Sequence, residues 1–92
     1  MNKQQVIEAF ENGRKAQGGN YFSDGLSLYL FGNKIAEHRE GDIYFSLAGW
    51  NTTTTKQALN HLNNVSIHSS KGVIKNFDSI INKNDWYKVS DF

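Results

Sequence analysis

Apolar positions at the start of the chain recur with helical spacing. Val6, Ala9, Phe10 and Gly13 fall at i, i+3, i+4 and i+7, while Lys, Arg and Gln dominate the opposite face. Asn2 stands where an N-cap would, with Gln5 three residues on, so a capping box is expected to open this helix. Gly18-Gly19 is its expected stop. From there the period falls to two. Asn20-Tyr21-Phe22 is short and extended, and Ser23-Asp24-Gly25 reads as a turn. Leu26, Leu28 and Leu30 then alternate with Ser27, Tyr29 and Phe31, and Gly32-Asn33 supplies a two-residue hairpin loop. Lys34 to His38 returns as the partner strand. After a turn at Arg39-Glu40-Gly41-Asp42, Ile43, Phe45 and Leu47 form another inward face. The result is a three-stranded antiparallel meander.

The second half changes character at Gly49-Trp50 and the four threonines Thr52 to Thr55. Branched, hydroxyl-bearing side chains favour extended chain or caps over helix interior. Thr54 followed by Gln57 predicts a capping box, and Ala58, Leu59 and Leu62 predict a short helix ending near Asn63-Asn64. Val65 to His68 and Val73 to Lys75 then flank a four-residue loop, Ser69-Ser70-Lys71-Gly72. Ile80-Ile81 and Trp86 to Val89 read as short strands closing the sheet, with Asn82 to Asp85 as a turn. With every connection short and no repeat or linker, the expectation is one α+β domain over residues 1–92. It would be an antiparallel sheet, meander plus C-terminal hairpin, with an N-terminal helix and a short central helix.

Composition narrows the function classes. The 92 residues include no cysteine, which excludes a disulfide scaffold, thiolate catalysis and a Cys-based zinc site. Proline is absent too, so turns fall to Gly and Asn at positive φ. No apolar run approaches the length of a bilayer span, and the N-terminus lacks the apolar stretch of a signal peptide. Ten basic and nine acidic residues leave a net charge of +1, which argues against a polyanionic nucleic-acid mimic.

The distribution of that charge says more than its total. No Asp or Glu occurs from Ile43 to Phe77, a window that holds Lys56, Lys71, Lys75, His61 and His68 among many Ser, Thr and Asn. A surface built from it would be mildly positive and rich in neutral donors, although it contains no Arg for forked phosphate contacts. The same lysines could equally be ordinary solubilising charges.

Candidate chemistry is sparse. His38, His61 and His68 form no metal-binding frame and read as polar surface histidines. Glu37, Glu40 and Asp42 sit as a solvated hairpin tip would, and the glycines make neither GxGxxG nor a phosphate-binding loop. An enzyme is not expected, nor a cofactor or metal.

Several stretches taken together resemble a group of small phage and prophage proteins. They are Asp24-Gly25 through Leu30, Lys34-Ile35-Ala36-Glu37, and Gly49-Trp50-Asn51-Thr52-Thr53-Thr54-Thr55-Lys56 with Leu59-Asn60. That group pairs a "DG…Y…IA" hairpin with a "W-x-T-x-T-T-(K/R)…(L/I)-N" segment, often followed by a hairpin like Val65 to Val73 here. The resemblance spans Asp24 to about Ile74. It implies a phage or mobile-element origin and hence the host cytoplasm, and it transfers no catalytic residue.

Trp50 beside the threonines has two readings. It plugs the core, the ordinary place of Trp, or it stands exposed within a polar rim that contacts a partner. Tyr21, Tyr29, Phe31 and Tyr44 could form a stacking platform on the outer face of the meander. The leading expectation is a non-enzymatic binding protein that inhibits a host defence system, in the manner of an anti-CRISPR, by docking on a host protein or ribonucleoprotein. Lys56, Lys71 and Lys75 would steer, Thr53 and Thr54 would donate hydrogen bonds, and Trp50 would supply the aromatic contact. The alternatives are an accessory protein that binds single-stranded nucleic acid and a small virion protein.

Overall fold

The capping box forms as the spacing of Asn2 and Gln5 predicts. Asn2 Oδ1 accepts from the Gln5 N–H at 2.9 Å, and Gln5 Oε1 accepts from the Asn2 N–H at 3.0 Å. It opens α1, Lys3–Glu11, in a computed structural model that describes residues 1–92. The helix stops earlier than Gly18-Gly19. Gly13 takes the left-handed position at φ +72° just beyond the Asn12 cap. Its N–H donates to the Phe10 carbonyl at 3.0 Å, and the Arg14 N–H donates to the Ala9 carbonyl at 2.8 Å. That pair of bonds is a Schellman closure, which needs only one local glycine. The chain is thereby free to form a strand the helical spacing did not predict, β1, Lys15–Gly18.

A meander follows through β2 (Tyr21–Asp24), β3 (Ser27–Leu30), β4 (Asn33–Arg39) and β5 (Asp42–Phe45). Between β2 and β3, Asp24 Oδ1 accepts from the N–H groups of Ser27 and Leu26 at 2.7 and 2.9 Å. These two bonds, Ser27 foremost, hold the carboxyl below its ordinary 3.8. The turn rolls Leu26 outward to 65% exposure, so only Leu28 and Leu30 of the predicted triplet reach the core.

The β3–β4 hairpin closes at Leu30 opposite Asn33, making Phe31-Gly32 the two-residue loop instead of Gly32-Asn33. Both loop residues have positive φ, +52° and +79°, the backbone of a type I′ turn. Glu40-Gly41 joins β4 to β5 in the same way. A bulge at Ile35 lets it and Ala36 both turn inward, against a strict period of two.

Threonine capping is shifted by two residues from expectation. The Thr52 hydroxyl, not that of Thr54, accepts from the Thr55 N–H at 3.3 Å and opens α2, Thr53–Leu59. The helix ends before Asn63 because the Asn60 side chain bonds the main chain of Ile67 instead of extending it. A second sheet then forms from β6 (Ile67–Ser70), β7 (Val73–Asn76) and β8 (Ser79–Ile81). Ser69 and Ser70 pair with Ile74 and Val73, which shortens the expected four-residue loop to Lys71-Gly72. The last strand, β9 (Tyr87–Lys88), returns to β5 and completes a six-stranded antiparallel sheet in the order β1-β2-β3-β4-β5-β9.

The architecture is α+β, two helices against an antiparallel six-stranded sheet and a three-stranded one. α1 packs across β1 to β3, and α2 lies between β4 and β6. Val6, Ile7 and Phe10 of α1 meet Leu28 and Leu30, while Leu59, Ile67 and Ile74 extend the same apolar cluster into the second sheet. No helix is long and apolar enough to cross a membrane.

Candidate docking surface

Trp50 stands at the surface, 53% exposed, contrary to the ordinary burial of Trp. The cause is the backbone just before it. Ala48 and Gly49 have φ of +53° and +84°, and the Trp50 N–H donates to the Leu47 carbonyl at 2.8 Å, so a tight turn swings the indole away from the core. The Gly49 N–H is tied to the Lys83 carbonyl at 2.8 Å, which holds this turn against the C-terminal segment. Phe31, at the tip of the β3–β4 hairpin, is 62% exposed. Between these two aromatics runs a groove of about 290 Å³ whose lining includes Leu30, Ile35, Thr52, Thr54 and Asn33.

The four threonines divide by role. Thr52 caps α2, and Thr55 is buried with its hydroxyl 3.0 Å from that of Thr52. Thr53 and Thr54 remain exposed on the first turn of α2, and of these two only Thr54 lines the groove. Lys56 departs from its expected steering role. Its Nζ donates to Ser69 Oγ at 2.6 Å, so the side chain bridges α2 to β6 instead of reaching outward with the other lysines.

Lys75 lies on the outward face of the second sheet, and Lys71 stands in the turn between β6 and β7, lining one depression with it. Strand alternation sends Ile74 and Asn76 inward, and Val73 and Lys75 outward. Lys75 is flanked across the strands by His68 on β6 and Ile80 on β8. Together with Ser70, Lys71 and Val73 they line a depression of about 420 Å³. A neighbouring depression of about 460 Å³ carries Val73 and Ile80 over to Asn51, the residue after Trp50. The aromatic groove and this depression are thus bordered by adjacent residues, Trp50 and Asn51, and no carboxylate lines any of the three depressions. Ile80, at 73% exposure, lines two of these depressions, where spacing alone offered only a strand residue.

Carboxylates gather elsewhere. Glu8, Glu11 and Asp42 line a polar cleft of about 710 Å³ with His61. Glu11 Oε2 accepts there from the Asn63 N–H at 3.0 Å. Asp42 meets Lys88 Nζ at 3.2 Å, and that hydrogen bond raises the ammonium above its ordinary 10.5. Glu37 pairs with Arg39 at 2.7 Å, and the guanidinium lies 4.5 Å from the centre of the Tyr44 ring.

The expected stacking platform is dispersed by the sheet. Tyr21 turns to the core, where burial pushes its phenol above 10.0, and Phe31 sits at the hairpin tip. Tyr29 pairs with Phe22, their centroids 5.9 Å apart, and Tyr44 is covered by Arg39. His38 also differs from a surface histidine. Its ring packs on Phe10 at 4.6 Å, with Nε2 2.7 Å from the Phe10 carbonyl.

The family model of the Kyanoviridae Gp96 protein matches residues 2–92. No curated protein and no solved structure matches the chain.

Proposed function

The chain belongs to the Kyanoviridae Gp96 family of phage proteins, and we propose, from its surface, that it works by binding rather than by catalysis. It docks on a host protein or ribonucleoprotein complex inside the infected cell and so inhibits a defence system, in the manner of an anti-CRISPR. One observation carries the reading. Two large aromatic side chains, Phe31 and Trp50, are held in water by turns at positive φ, on either side of a groove lined by no carboxylate. Folding gains nothing from exposing them, and strain retained at a surface points to use there. Exposed aromatics around an apolar slot are also the usual anchors of protein interfaces.

The test is interference in a phage host with an active CRISPR-Cas system. Expression of the wild-type chain is expected to restore plasmid transformation, and Trp50→Ala is expected to abolish the protection while remaining folded. Absence of protection by the wild type, or full protection by the variant, overturns the proposal.

A further inference from the structure

We infer that the partner meets this surface with an acidic, amphipathic segment of protein, an inference that rests on the docking reading above. An apolar side chain enters the groove between Phe31 and Trp50, and carboxylates lie against Lys71, Lys75 and His68.

The groove and the lysine face each point to this chemistry. The floor of the groove is Leu30 and Ile35, and its volume of about 290 Å³ suits one large apolar side chain. Around the lysines the exposed apolar side chains are aliphatic, Val73 and Ile80, and the one ring lining that depression is the imidazole of His68. Aliphatic groups shed water against apolar side chains, and a single imidazole is a poor platform for successive bases. A nucleic-acid strand also favours guanidinium forks, and neither Arg14 nor Arg39 lines any of the three depressions. Lysine supplies charge without a fork, which serves for scattered carboxylates. Electrostatic complementarity fixes the sign, since like charges facing each other across an interface are costly. The molecule measures 27 Å along its middle axis, a span that about eight extended residues cover.

Amide resonances of the isotope-labelled protein, followed during titration, test the inference with three probes. One is a peptide of about twelve residues in which Glu alternates with Leu and Phe. The others are oligoglutamate and oligothymidylate of matching length. The mixed peptide is expected to shift Phe31, Thr54, Lys71 and Lys75 and to bind about tenfold tighter than oligoglutamate. Binding is expected to weaken about tenfold in Trp50→Ala and again in Lys71→Glu/Lys75→Glu, with the spectra otherwise retained. Phe31→Asn supplies a further groove variant that suits its turn. Equal or tighter binding of oligothymidylate at these residues overturns the partner chemistry and leaves the docking reading standing. If no probe shifts these resonances, both fall.

Discussion

Asn60 grips Ile67 from both sides. Its Nδ2 donates to the Ile67 carbonyl at 2.9 Å, and its Oδ1 accepts from the Ile67 N–H at 2.6 Å. A side-chain amide thus acts as one more strand residue along the open edge of β6. It joins the end of α2 to the second sheet and sets where Lys71 and Lys75 stand. Asn60→Ala is expected to cost about 2 kcal/mol, since it leaves two main-chain groups without partners. Asn60→Asp keeps the acceptor but loses the donor, and its cost should fall between. Urea midpoints of the two variants check the order.

Phe31 occupies a turn position that suits Asn or Gly. With φ at +52°, an L-residue bearing a large side chain is held at a cost of order 1 kcal/mol, which Asn largely avoids. Phe31→Asn is therefore expected to raise stability by about 1 kcal/mol while weakening partner binding. A gain in urea midpoint together with lost protection in the interference assay would join strain to function. Loss of stability would show that the ring supports the fold instead.

Trp50 should matter little to folding. It lies at the surface, so Trp50→Ala is expected to change stability by no more than about 0.5 kcal/mol. Iodide should quench Trp50 emission in a Trp86→Phe background, and added partner should protect it. An indole inaccessible to iodide in the free protein would contradict the turn at Ala48-Gly49.

Acid should act through Asp24. Its carboxyl is lowered from 3.8 by the Ser27 and Leu26 N–H groups. The stability it contributes is fully present above the unfolded value and is lost as pH falls through the lower folded value. Asp24→Asn retains an acceptor for the turn but has no charge to titrate. Its stability below pH about 4 should fall less steeply than that of the wild type, as measured by urea midpoints across an acid series. Identical slopes would assign the acid sensitivity to other carboxylates.

Local chemistry along the chain determined several features by itself. The Asn2–Gln5 box, the alternation of Leu28 and Leu30, and the strands on either side of Lys71-Gly72 depend on neighbours a few residues apart. Of the stretch without carboxylates from Ile43 to Phe77, His61 and Asn63 joined Glu8 and Glu11 in the acidic cleft, but its β6–β7 part stayed together around a depression lined by no carboxylate. That part did so because β6 and β7 are consecutive and pack together. Other outcomes needed partners distant in sequence. Whether Trp50 is buried or exposed depended on a turn tied to Lys83, and β9 found its place only by pairing with β5. The role of Lys56 was decided by Ser69, thirteen residues on. Periodicity reports which face of an element is apolar. Which surface is left uncovered follows only when the elements close over one another, and here that closure left Phe31 and Trp50 on one groove and Ile80, Lys71 and Lys75 on another depression.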